Sequence, residues 1–106
     1  MNEMLKVINW ALKFFKLKLI QPGKRIVPFD VEEDFKDIHK LAQPFSMTSP
    51  ERLYATYQAI KYVEANGIEG DVVECGVWKG GNSMVMALTL LNCNSQKRDI
   101  YLYDTF

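Results

Sequence analysis

The sequence predicts an α/β fold in which amino-terminal helices precede the first β-α-β unit of a Rossmann-like sheet. Two observations carry this. Three segments before Gly67 repeat apolar residues at helical spacing, and the stretch from Gly70 onward reads strand, glycine loop, apolar helix, strand, acid. The 106 residues, 48% hydrophobic with thirteen Lys and Arg against thirteen Asp and Glu, have a globular composition. Zero net charge excludes a polyelectrolyte and speaks against nucleic acid, whose phosphates demand a basic excess.

In the first segment Met4, Leu5, Ile8, Ala11, Leu12, Phe15 and Leu19 recur three and four residues apart, which predicts an amphipathic helix ended by Pro22-Gly23. Residues 1–25 carry a net charge of +5 and residues 26–40 one of −3, so the two stretches attract. The helix would dock on its own domain or on a second subunit, or lie through residues 1–20 on an anionic membrane surface. Lys6, Lys13, Lys16 and Lys18 interrupt any signal-peptide core. The run Trp10-Ala11-Leu12 is also far short of the roughly 20 residues a spanning helix needs. Cys75 and Cys93 therefore read as reduced thiols in a cytoplasmic chain.

A second helix is expected over residues 30–43, with Asp30 as N-cap, Glu33 three positions on, and Phe35, Ile38 and Leu41 or Ala42 buried. His39 falls off the centre of that stripe and reads as solvent-facing or hydrogen-bonded. It is the only histidine, which excludes a His-based triad and a multi-histidine zinc site within the chain. The third helix opens at Thr48-Ser49-Pro50-Glu51, where Thr48 would cap with Glu51 or Ser49 would place Pro50 at the first helical position. Leu53, Tyr57, Ile60 and Tyr62 or Val63 form its apolar face, and Asn66-Gly67 ends it.

The chemistry lies beyond. Val72-Val73-Glu74-Cys75 reads as a strand, residues 76–83 as a glycine loop, Met84 to Leu91 as a helix, and Ile100-Tyr101-Leu102-Tyr103 as a second strand closed by Asp104. Asp104 follows Gly81 by twenty-three residues, an interval that sets its carboxylate at the end of the neighbouring strand, within reach of ribose hydroxyls. No Walker spacing is present, and Glu74 at the mouth of the loop would repel phosphate. A phosphate-free adenosyl donor such as S-adenosylmethionine (SAM) suits the pattern better. It calls for an acid near its ammonium, amides at a helix start for its carboxylate, and an acid for its ribose. Glu74, the 76–83 loop and Asp104 supply these in order.

Four blocks occur in sequence: Met47-Thr48-Ser49-Pro50-Glu51-Arg52-Leu53-Tyr54, Asn66-Gly67-Ile68-Glu69-Gly70-Asp71, Val73-Glu74-Cys75-Gly76-Val77-Trp78-Lys79-Gly80-Gly81 and Tyr103-Asp104-Thr105-Phe106. Together they resemble the amino-terminal part of the macrocin O-methyltransferase (TylF-type) family of class I SAM-dependent methyltransferases, from about residue 44 onward and more loosely over 26–43. The resemblance implies SAM as methyl donor, a sugar hydroxyl as acceptor, a divalent metal (magnesium) and a homo-oligomer. It places Met47 and Thr48 against the cofactor, Glu74, Gly76, Trp78 and Ser83 in its loop, and Asp104, Thr105 and Phe106 at the adenosine end. Charge and apolar spacing set off a basic helix and turn (residues 1–25), and the resemblance makes residues 26–106 the first part of a SAM-binding domain. The family's metal-binding aspartates and catalytic base lie downstream of these blocks. No catalytic or metal-ligating residue is assigned, and the 106 residues read as an amino-terminal segment inactive alone. The competing expectation is a non-catalytic segment that docks on a partner or membrane.

Overall fold

The computed structural model describes residues 3–13, 27, 30–95 and 97–105. Its elements are α1 (Glu3–Leu12), α2 (Glu33–Ala42), a 3₁₀ turn (Gln43–Phe45), α3 (Pro50–Ala65), β1 (Val72–Cys75), α4 (Gly81–Asn92) and β2 (Ile100–Tyr103). In α1 the first-turn Glu3 pairs with Lys6 at 2.6 Å. Of the expected stripe, Met4 and Ala11 are exposed and Ile8 is half-buried. The continuation of this helix toward Pro22-Gly23 lies outside the described residues.

The start of α2 corrects the expected cap. Glu32, in extended geometry, is the N-cap in place of Asp30, and its carbonyl accepts the Lys36 amide at 3.2 Å. Asp30 stands in a turn too far ahead of Glu33 to serve the first helical amides. The Glu32 side chain reaches across to α3, accepting from the Tyr54 hydroxyl (2.8 Å), Gln58 Nε2 (2.9 Å) and Lys61 Nζ (3.3 Å). Hydrogen bonds from its own backbone amide and from these groups hold its carboxyl down to about 2.

Phe35, Ile38 and Ala42 are buried as their spacing predicts, and Leu41 is exposed. Of the two alternatives for His39 the solvent-facing one fails: it is buried, its ring 5.7 Å from that of Phe35, and desolvation lowers its pKa. Both α3 and α4 pack on α2, so the covered arc is wider than one stripe.

Helix α3 starts at Pro50, with Ser49 as N-cap, so the second of the two start registers is the one adopted. The Ser49 carbonyl accepts the amides of Arg52 and Leu53, both at 3.1 Å. Leu53, Tyr57 and Ile60 are buried, Val63 is half-buried and Tyr62 is exposed. The helix closes where Gly67 takes a φ of 60°. There Ile68 N–H returns to the Val63 carbonyl and Gly67 N–H to that of Glu64, the paired bonds of a Schellman ending.

Strands β1 and β2 pair in parallel, Val72 opposite Ile100 through Cys75 opposite Tyr103. Parallel neighbours require a crossover, and α4 supplies it. This helix is apolar nearly all round because it is packed on two sides. Val85 joins Phe35, Ile38, Leu53 and Tyr57, while Met86 and Leu90 meet Ile60 with Val72 and Ile100 of the sheet. Each such fully buried side chain contributes about 1.5–3 kcal/mol. Buried Thr89 satisfies its hydroxyl on the Val85 carbonyl at 2.6 Å. The result is a mixed helix-and-strand, α/β arrangement whose carboxyl strand ends face the start of α4. Among the described residues no helix is long and apolar enough to cross a membrane. Both cysteines are free thiols.

Candidate functional site

Beyond β1 the chain turns sharply, with φ of 84° at Gly76, 52° at Trp78 and 88° at Gly80. Glycine takes such angles at little cost, whereas Trp78 holds a conformation few bulky side chains adopt. The turn is kept in place by its own amides. Gly76 N–H donates to the Tyr103 carbonyl (2.8 Å), Gly80 N–H to that of Val77 (3.0 Å), and both Val77 (3.0 Å) and Trp78 (2.8 Å) donate to Asp104 Oδ2. Asp104 Oδ1 accepts the Thr105 amide at 2.8 Å. These amide bonds, that of Thr105 foremost and then those of Trp78 and Val77, hold the Asp104 carboxyl below the usual carboxylate range.

Alternation along β1 turns Glu74 toward α4. Its carboxylate accepts from Asn82 Nδ2 at 3.2 Å on one oxygen and from the Ser83 hydroxyl on the other. Asn82 is itself oriented by Thr56 of α3, whose hydroxyl donates to Asn82 Oδ1 at 2.7 Å. A hollow of about 300 Å³ opens above this chain of bonds. Met47, Thr48, Glu74, Gly76 and Trp78, five of the residues expected at the site, line it together. Lys79 covers the Trp78 ring, with Nζ 4.9 Å from the ring centre.

The other expected residues stand differently. Ser83 is buried and meets the hollow only through Glu74. Asp104 and Thr105 are not on its lining, and Phe106 lies outside the described residues. Asp104 grips the same turn through backbone amides, and the Thr105 side chain adds a further hydrogen bond, so its carboxylate is largely committed within the protein. Gly81, on the lining of the hollow, is also where the chain after α2 comes closest. A Cβ there would stand 2.6 Å from Ser46 Cβ and 2.7 Å from the Phe45 carbonyl oxygen, so its bare face admits the chain after α2.

Sequence reasoning missed Arg52, Thr56 and Asn82, all on the lining. The i, i+4 spacing of Arg52 and Thr56, which puts both on one face of α3, was the available signal.

The macrocin-O-methyltransferase (TylF) family model matches residues 16–106. The chain belongs to that family. Among curated proteins it is similar to the 8-demethyl-8-(2,3-dimethoxy-alpha-L-rhamnosyl)-tetracenomycin-C 4'-O-methyltransferase of Streptomyces olivaceus. The two are 34% identical over 61 residues, which are 58% of this chain and 23% of that enzyme. It is also similar to the demethyldecarbamoylnovobiocin O-methyltransferase of Streptomyces niveus, 32% identical over 65 residues, 61% of this chain and 25% of that enzyme. The chain thus spans about a quarter of the length of each of these two enzymes. No solved structure matches it. Among the described residues no three His, Cys, Asp or Glu side chains gather where they would hold a metal ion.

Proposed function

We propose that this chain carries the donor-binding part of a SAM-dependent O-methyltransferase of the Rossmann-like class I type, acting on a sugar hydroxyl of a small glycosylated molecule. Family membership supports the reaction class, and the relatives' names, one of them citing a rhamnosyl group, support the acceptor class. The observation that carries the site is the hollow itself. It presents a carboxylate fixed on both oxygens by α4, beside the turn at Gly76 and Trp78, with Met47 and Thr48 on the same lining.

In this reading Glu74 receives the donor's ammonium, with Asn82 and Ser83 keeping its oxygens oriented. Trp78 and Gly76 border the same end. Asp104, Thr105 and Phe106 take the adenosine end. SAM, when bound, supplies a methyl group on a sulfonium, ready for in-line transfer to an oxygen. Residues 26–106 contribute to the SAM-binding domain and residues 1–25 form a separate basic segment. Among the described residues no ligand set for a divalent metal is gathered.

Calorimetry with S-adenosylhomocysteine on the full chain tests this. Binding is expected, weakened about 10- to 100-fold by Glu74→Gln through loss of a charge-assisted bond. A folded chain that takes up no S-adenosylhomocysteine overturns the reading.

A further inference from the structure

We infer that Arg52 anchors the α-carboxylate of the donor's amino-acid end, an assignment that rests on the donor-site reading above. Four of the loop amides are engaged. Those of Gly76, Val77, Trp78 and Gly80 already donate to Tyr103, Asp104 and Val77 within the protein. Beside the backbone amides at the start of α4, an anion in the hollow has a charged side-chain donor in Arg52.

Among the described residues the lining carries one cation and one anion, Arg52 and Glu74. The amino-acid end of the donor carries one charge of each sign. Arg52 stands on α3 and Glu74 on β1, and the walls are tied by the bond from Thr56 to Asn82 and from Asn82 to Glu74. That tie fixes the spacing of the two walls before any ligand arrives. A guanidinium adds a planar fork of donors suited to a carboxylate.

The position of Arg52 in its own helix points the same way. It lies in the first turn of α3, where the helix dipole favours an acid such as the neighbouring Glu51 and disfavours a cation. Local helix stability thus gives no reason for arginine there, whereas an anion in the hollow does.

The test pairs a side-chain deletion with a ligand deletion. Calorimetry on the full chain compares S-adenosylhomocysteine with S-adenosyl-3-thiopropylamine, which keeps the amine and lacks the carboxylate. Arg52→Gln is expected to weaken the first ligand about 10- to 100-fold and leave the second unchanged, with Arg52→Lys recovering part of the loss. Thermal melting confirms that each variant is folded. Equal affinity of wild type and Arg52→Gln for S-adenosylhomocysteine overturns the inference, as does an equal loss for both ligands, which would make Arg52 a wall of the hollow and no more. Failure of the wild type to bind either compound sinks the donor site itself, a different result from either.

Discussion

At the amino end of the strand pair, Arg98 donates to Glu64, to the Ile68 carbonyl and, at 2.5 Å, to the Gly70 carbonyl, while Asp71 accepts the Asp99 amide at 3.0 Å. At the carboxyl end, Glu74 is held as firmly by Asn82 and Ser83, yet it also borders a hollow together with Arg52. The amino-end cleft beside Arg98 is the larger, about 400 Å³ against 300 Å³. Volume therefore does not mark the site. What separates the two ends is the work of their charges: Arg98 is committed to joining the 64–71 stretch to β2, whereas Glu74 is oriented beside open space.

The largest effect that would sharpen this contrast is expected at Gly81, where the carboxyl end is most tightly packed. Gly81→Ala should cost about 1–3 kcal/mol in chemical denaturation, because the new methyl meets Phe45 backbone. A neutral substitution would show that the turn after α2 is not seated on α4. Next in size, Arg98→Ala should lower the melting temperature, since Glu64 and two carbonyls lose their donor, and leave S-adenosylhomocysteine affinity intact. A drop in affinity like that of Glu74→Gln would break the division between the ends.

The smallest effect concerns acid. Glu64 is lowered from its ordinary 4.5, chiefly by the hydrogen bond from Arg98, and Asp104 from 3.8, chiefly by the Thr105 amide. Each lowered carboxyl stabilises the fold above its ordinary value, and that contribution is lost as pH falls through the lower folded value. Urea titrations across this acid range should show Glu64→Gln and Asp104→Asn each flattening the decline. Added salt should weaken the Glu64 share more than the Asp104 share, since an ion pair is screened and backbone amide bonds are less so. Equal salt sensitivity would count against amide control of Asp104.

Much of the fold was readable because it is local. The spacing of Leu53, Tyr57 and Ile60 set the buried face of α3, and the β-rich runs at Val72 and Ile100 set the strands. What escaped depends on contacts distant in sequence. His39 is buried because two other helices cover α2, and Glu32 replaces Asp30 as the cap while binding partners on α3. Arg98 meets Glu64 across 34 residues, a separation without a period to reveal it. At the site, residue identities set Glu74 at the mouth of the glycine loop and Asp104 at the end of the neighbouring strand. They did not show that Asp104 holds that loop by amides, because backbone hydrogen bonds leave little trace in side-chain chemistry.

Trp78 offers a practical handle. Its indole is half-exposed on the rim of the hollow with the Lys79 ammonium over its face, and the chain's other tryptophan, Trp10, lies on α1. With Trp10 replaced by phenylalanine, the remaining emission would come from a fluorophore already in place at the rim. Arrival of an occupant could then be followed optically, without a label.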